Sequence, residues 1–141
     1  MPADGTLLLG RGDVARLLSL PACIAAVEEV FRAYGEGKVP PPGVLGIKSD
    51  AGGLHIKAGY LPGARSYIVA KLNTNFAGNR KQGVFPTIQG LILLCDGDNG
   101  RPLAVLDSIE ITITRTAAAS AVAAKYLARP DSSVVGTRSA S

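Results

Sequence analysis

Residues 87–129 constrain the fold more than any other part of the chain, because they predict two strands followed by a long helix. The apolar runs 91–95 and 102–106 have the length of strands, and the turn-rich sequence DGDNG at 96–100 separates them. From about Ser108 onward, small residues recur at helical spacing. The segment therefore predicts an antiparallel hairpin that leads into an alanine-rich helix.

Arg115 lies near the predicted start of this helix. The positive end of a helix dipole disfavours a cation unless an anion is close. Arg115 is therefore a candidate anion-binding residue. The exact start of the helix stays open, because the alternating Ile and Thr residues of 109–116 are β-prone.

The rest of the chain predicts an α+β domain. Helical patterns cover 13–20 and 21–34, and a stiff Pro-Pro-Pro-Gly connector follows at 40–43. Short strand patterns separated by turn residues follow at 44–48, 54–61 and 67–73. We predict a mostly antiparallel or mixed sheet, packed by the N-terminal helices and by the long C-terminal helix.

Alternation along the strands assigns side chains to the two faces of this sheet. One face of the middle two strands carries His55, Lys57, Gly59, Tyr67, Val69, Lys71 and Asn73. The other face carries Leu54, Ile56, Ala58, Ile68, Ala70 and Leu72, and the last three of these are predicted to face the core.

Two lysines, Lys57 and Lys71, thus come from consecutive strands. Solvated surface lysines are one explanation, since lysine is mostly exposed in proteins. Lys71, however, interrupts the apolar run IVAKL, where a cation needs a partner. Lys71 and Arg115 together are suited to hold a carboxylate, the arginine by its planar fork and the lysine as a point charge.

Composition argues against several classes of function. The chain has 141 residues, a net charge of +4 and few aromatic residues (Tyr 4, Phe 3), with its basic residues scattered, so we expect no nucleic-acid partner. No apolar run approaches the length of a membrane span. The two cysteines, Cys23 and Cys95, suit buried reduced thiols in a cytoplasmic protein. A single histidine excludes a multi-histidine metal site, and no metal ligand set is assigned.

Residues 87–129 and the upstream segment KLNTNFAGN (71–79) resemble the ornithine cyclodeaminase/mu-crystallin family, with RTAA at 115–118 as the most specific part. The similarity runs from about Leu7 to Arg129 and is greatest to bacterial members that reduce cyclic imino acids such as pyrroline-2-carboxylate. It implies an NAD(P)-dependent, mostly dimeric enzyme that has a sheet-containing substrate and dimerisation domain followed by a Rossmann domain. It also implies that Lys71, as the catalytic residue, and Arg115 bind the substrate carboxylate, with Lys57 and Thr87 in the same pocket.

The sequence departs from that family in two places. Many members have an arginine just after the proline-containing connector, where this chain has Gly43, which argues against strict ornithine cyclodeaminase activity.

Residues 133–136 (SVVG) are predicted to begin the strand of a dinucleotide-binding domain, but no GxGxxG follows. We therefore expect a substrate-binding and dimerisation domain at 1–129 and an aberrant tail at 130–141. The Rossmann domain is predicted to be absent, so the chain is expected to be truncated, to bind no NAD or NADP and to be inactive alone. A stand-alone amino-acid-binding and dimerisation module is the alternative.

Overall fold

The computed structural model describes residues 5–136, which form a six-stranded sheet and four helices. The strands are β1 (Leu7–Leu9), β2 (Gly43–Lys48), β3 (Gly53–Leu61), β4 (Tyr67–Asn75), β5 (Ile88–Asp96) and β6 (Pro102–Asp107). The helices are α1 (Arg11–Leu17), α2 (Leu20–Gly35), α3 (Gly78–Gln82) and α4 (Ile109–Leu127). The predicted α+β class is confirmed.

The strand order is β1-β6-β5-β4-β3-β2, and every neighbouring pair is antiparallel except β1 and β6. Each strand from β2 to β6 lies beside the next strand in the chain, because a short connection brings that strand back in the opposite direction. β1 is added parallel to β6 at one edge of the sheet. The predicted mixed, mostly antiparallel sheet is confirmed.

The turn between β5 and β6 forms the predicted hairpin. Gly100 has φ 77°, a left-handed conformation that glycine adopts without steric cost. Its N–H donates to the carbonyl oxygen of Asp96 at 3.0 Å, and the Asp96 carboxylate accepts the backbone N–H of Asp98 at 2.9 Å. The aspartate side chain therefore stabilises the turn, as is common for this residue type.

Helices α1 and α4 pack on one face of the sheet, which we call the inner face. Val14 of α1 and Ile111 of α4 line a small cavity with Leu106 of β6, and Leu106 pairs with Ile92 of β5. Helix α2 packs against α4. The buried apolar side chains are Val14, Cys23, Ile92, Ala104, Ala118 and Val122. The core thus lies between the inner face and the helices.

The opposite, outer face of the sheet is apolar but largely exposed. Leu45, Ile56, Leu72 and Leu91 form a cross-strand row from β2 to β5. Leu72 is 39% exposed and Leu91 is 52% exposed. The prediction that Leu72 faces the core is therefore wrong for the described part of the chain, because the helices pack on the inner face instead.

Helix α4 begins at Ile109, so the β-prone residues at its start are helical. The Asp107 carboxylate accepts the N–H of Ile109 at 2.8 Å and satisfies one free N–H of the first turn. Arg115 is the seventh residue of α4, about two turns from its start. The dipole argument made for Arg115 is therefore wrong, because that effect falls off within the first turn.

Residues 130–136 form no regular element, although a strand was predicted to begin at 133. Val134 and Val135 are both exposed, and the backbone here pairs with no described strand. The rest of the predicted tail, 137–141, lies outside the described residues. Among residues 5–136, none of the helices combines the length and the apolar character needed to cross a membrane.

Candidate functional site

The centre of the candidate site is a pair of lysines on the inner face. Lys57 of β3 and Lys71 of β4 are direct cross-strand partners, so their side chains leave the same face of the sheet. On the far side of Lys71, the next residue in the row is the buried Ile92 of β5. The two cations are therefore neighbours on the inner face, where Lys57 is exposed and Lys71 is half-buried.

The pKa of Lys71 is lowered by the groups that surround its side chain. Burial lowers the pKa of Lys71 from its ordinary value of 10.5, and the positive charges of Arg115 and Lys57 lower it further. Arg115 belongs to α4, which lies far from β4 in sequence. The fold thus brings a third cation, from a helix, close enough to the lysine pair to repel a proton on Lys71.

Several basic residues of the chain have carboxylate partners, whereas these three cations share with Lys48, Arg80, Lys81 and Arg101 the lack of one among residues 5–136. Arg11 Nε lies 2.7 Å from Glu110 Oε1, and Lys125 Nζ lies 2.9 Å from Glu28 Oε1. Lys57, Lys71 and Arg115 form no such ion pair with any carboxylate of residues 5–136. A cluster of cations without a carboxylate partner is an electrostatic site for an anion.

Thr87, the fourth residue predicted to line the site, lies just before β5. Its carbonyl oxygen accepts the backbone N–H of Phe76 at 2.9 Å, which closes the end of the β4–β5 pair. It is five residues from Ile92, the partner of Lys71. No contact described for residues 5–136 joins its side chain to the cations, so its role stays a prediction.

Three buried polar atoms lie beside this site, and none of them belongs to a residue that the sequence pattern marked as a site residue. Asn73 Oδ1, Ser108 Oγ and Thr112 Oγ1 have no hydrogen-bond partner in the described structure. All three adjoin the β5–α4 junction: Asn73 pairs with Gly90, the N–H of Ser108 donates to the Gly90 carbonyl at 3.0 Å, and Thr112 is one helical turn further on. Ser108 is 0% exposed. Only the assembled fold reveals this, because no sequence pattern marks an unpaired oxygen.

A groove elsewhere on the molecule has a different character. It has a volume of about 540 Å³ and lies between α2 and α4, where Phe31, Val122, Tyr126 and Leu127 form apolar walls. Its charged residues, which include Glu28, are paired with each other. The groove lacks unpaired cations, so the lysine pair remains the better candidate for a site that recognises an acid.

Comparison with known proteins identifies the family. The family model described as "Ornithine cyclodeaminase/mu-crystallin family" matches residues 5–137. The chain belongs to the ornithine cyclodeaminase/mu-crystallin family. The resemblance carried by the RTAA segment and its surroundings is thereby confirmed.

Several members of this family are similar to the chain over most of its length. The alanine dehydrogenase of Archaeoglobus fulgidus is 39% identical over 131 residues, which are 93% of this chain and 39% of that protein. A solved archaeal alanine dehydrogenase dimer with bound NAD has a TM-score of 0.85 and 38% identity, and covers 91% of this chain and 39% of that one. The Thermococcus litoralis Δ1-pyrroline-2-carboxylate reductase, solved with NADH and L-proline, has a TM-score of 0.80 and 36% identity. That match covers 90% of this chain and 39% of the reductase chain.

The chain therefore spans about two fifths of the length of these family members. Within residues 5–136 we assign no site for a dinucleotide. Gly10 and Gly12 follow β1 and open α1, but the Asp13 carboxylate accepts the N–H of Gly10 at 3.0 Å. That carboxylate would repel a phosphate, and α1 has only seven residues. The Gly10–Gly12 segment therefore does not suit a pyrophosphate.

Proposed function

We propose that this chain is the substrate-binding part of an NAD- or NADP-dependent enzyme that acts on an amino acid or a cyclic imino acid. The observation that carries the proposal is the cluster of Lys57, Lys71 and Arg115, which have no carboxylate partner among the described residues. The names of the similar family members agree with it, since alanine, L-proline and pyrroline-2-carboxylate all carry a carboxylate beside a nitrogen.

Lys71 and Arg115 hold the substrate carboxylate in this proposal. The guanidinium of Arg115 offers two parallel N–H donors that match the two carboxylate oxygens. Lys71 adds a compact charge from the floor of the site. The negative charge of the bound anion offsets the repulsion by Arg115 and Lys57, while burial, the larger cause of the lowered pKa of Lys71, remains. Thr87 and Lys57 complete the proposed set.

Lys71 is also the proposed catalytic residue. Proton transfer is most effective when the pKa of the acid lies near the working pH, and the pKa of Lys71 is shifted in that direction. In the reduction of a carbon–nitrogen double bond, we propose that Lys71 Nζ donates a proton to the substrate nitrogen. The hydride in such chemistry comes from a nicotinamide. The described residues contribute no contact to that group, so we propose that they do not turn over substrate on their own.

The charge of the site favours an imino-acid reductase over a cyclodeaminase. Ornithine carries a second, positively charged amine, which needs a carboxylate near it. The groups that shift the pKa of Lys71 are two cations, and no carboxylate is among them. A diamino acid would thus place its second amine near positive charge, whereas proline or a cyclic imino acid has no such amine.

We also propose that the chain forms a homodimer through the outer face of its sheet. The face is apolar and exposed, and Leu72 and Leu91 lie at its centre. Contiguous apolar surface of this kind is typical of a protein interface. The similar archaeal alanine dehydrogenase is a dimer.

A stand-alone amino-acid-binding and dimerisation module is the second candidate, favoured by the absence of a dinucleotide site within residues 5–136. The two proposals predict different activities. Oxidation of NADH or NADPH in the presence of pyrroline-2-carboxylate is expected to be undetectable for the 141-residue chain alone and to appear when a dinucleotide-binding domain from the family is added. Binding of amino acids without any such rescue would favour the module.

Calorimetry with L-proline tests the carboxylate site itself. We expect measurable binding to the unmodified chain and a loss of at least about tenfold in affinity for Lys71→Met and for Arg115→Met, as for removal of a charged hydrogen-bonding group. Lys48→Met is the control, since it removes one positive charge from the end of β2. Equal affinities for all four proteins would refute the assignment of Lys71 and Arg115.

A further inference from the structure

The candidate site has more positive charge than one carboxylate needs. Lys57, Lys71 and Arg115 are close enough for the charges of the other two to lower the pKa of Lys71, and Lys57 directly opposes Lys71 across two strands. Like charges directly opposite one another destabilise a sheet. A single carboxylate held by Lys71 and Arg115 leaves the charge of Lys57 uncompensated, so a ligand with a second negative charge would gain additional binding energy.

The cross-strand pair next to the two lysines on the inner face, His55 and Asn73, carries hydrogen-bond donors. His55 and Asn73 are cross-strand partners, one pleat from the lysine pair and on the same face, at a spacing of about 7 Å. The neighbour of His55 in β2 is Gly46, and the His55 imidazole lies over it, with Nδ1 3.6 Å from the position that a Cβ of residue 46 would occupy. Imidazole and amide groups both carry N–H donors.

The side-chain oxygen of Asn73 is buried without a hydrogen-bond partner among the described residues. Its Oδ1 atom is buried over Gly90, 2.5 Å from the position that a Cβ of residue 90 would occupy, and has no partner there. An amide side chain carries N–H donors as well as an acceptor oxygen, so Asn73 has hydrogen-bonding capacity that the described residues leave unused. The row beside the lysines therefore offers donors to an acceptor group, and an ionised carboxylate is the strongest acceptor among side chains.

We propose that the substrate of this site is an amino or imino acid with two carboxylates, of the size of aspartate or glutamate. The inference rests on the proposed function and names its substrate class. The first carboxylate binds Lys71 and Arg115. The second carboxylate binds Lys57 and accepts hydrogen bonds from Asn73 and His55. Lys57 is then the residue that determines specificity.

Three ligands that differ only at the end of the side chain test this assignment. L-Glutamate ends in a carboxylate, L-glutamine in an amide and L-norvaline in a methyl group. In calorimetry with the 141-residue chain, we expect glutamate to bind at least about tenfold more tightly than norvaline, with glutamine between them.

Substitutions then locate the second carboxylate. Lys57→Met is expected to lower the affinity for glutamate to nearly that for norvaline, and to lower the affinity for norvaline much less. Asn73→Leu should give a smaller loss of the same kind, and Lys57→Arg should retain the preference because it keeps the charge. Lys48→Met, which removes an equal charge from β2, should leave all three affinities unchanged. Circular dichroism and thermal unfolding check that each variant is folded.

Two results would overturn the inference and leave the proposed function intact: equal binding of glutamate and norvaline by the unmodified chain, or an equal loss for both ligands in Lys57→Met. If L-proline binds to the folded chain and none of the three ligands does, again only the dicarboxylate inference fails. If neither L-proline nor any of the three binds, then Lys71 and Arg115 do not form a carboxylate site, and the proposed function fails as well.

Discussion

Lys57 and Lys71 face each other directly across β3 and β4, with the charge of Arg115 from α4 acting on Lys71 as well. This arrangement does not stabilise the free chain, since like charges at opposed strand positions repel. A cluster that lowers stability without a ligand and attracts an anion is typical of a binding site. The relationship between these two lysines therefore links the energetics of the fold to its proposed function.

The first prediction concerns the stability of the sheet without ligand. Lys57→Met removes one of the two opposed charges and is expected to raise the free energy of unfolding by about 0.2–1 kcal/mol. Urea unfolding at low ionic strength measures this. Lys48→Met serves as the control, because Lys48 pairs with Gly53 and opposes no cation. The gain should shrink in high salt, since screening weakens the repulsion. A loss of stability in Lys57→Met would contradict this account.

The second prediction concerns the pH dependence of stability. The pKa of Lys71 is lowered in the folded chain, so between that lowered pKa and 10.5 the unfolded chain binds more protons at this position. The contribution of Lys71 to the free energy of unfolding is therefore expected to rise as the pH increases through this window. It should be constant below the window. Urea unfolding of the unmodified chain and of Lys71→Met across alkaline pH isolates the difference, and a difference that falls as pH rises would show that the pKa of Lys71 is not lowered.

The third prediction concerns the outer face. Leu72→Glu places a charge at the centre of the exposed apolar row, where it would be buried at a dimer interface without a partner. We expect sedimentation velocity to show a dimer for the unmodified chain and a monomer for this variant. Leu127→Glu is the matched control, since Leu127 is 82% exposed at the end of α4, away from the sheet. Dissociation by Leu127→Glu and not by Leu72→Glu would place the interface elsewhere.

The fourth prediction concerns the packing of α4. Ala118 is fully buried, and a larger side chain there must displace its neighbours. Ala118→Leu is expected to lower the free energy of unfolding by about 1–3 kcal/mol. Ala117→Leu makes the same change at the adjacent, exposed position and should have little effect. Thermal unfolding followed by circular dichroism compares the two variants, and equal melting temperatures would show that α4 is loosely packed.

Much of the candidate site was predictable because it depends on local pattern. Alternation along β3 and β4 places Lys57, Lys71 and Asn73 on one face, and the turn residues between β5 and β6 place the hairpin. The interruption of an apolar run by Lys71 marked that residue as unusual before any fold was considered. The dipole argument for Arg115 failed, since it depended on the exact start of α4, which propensity alone does not locate.

The sequence by itself determined most of the strands, the long helices, the two faces of β3 and β4 and the family, because these follow from short-range periodicity and from matching segments. The tertiary structure decided which of the two apolar faces the helices cover, and it brought Arg115 to Lys71. It also left the oxygens of Asn73, Ser108 and Thr112 without partners. These features depend on packing between residues that are far apart in the chain. A local sequence pattern therefore does not predict them, because they arise only when the helices pack on the sheet.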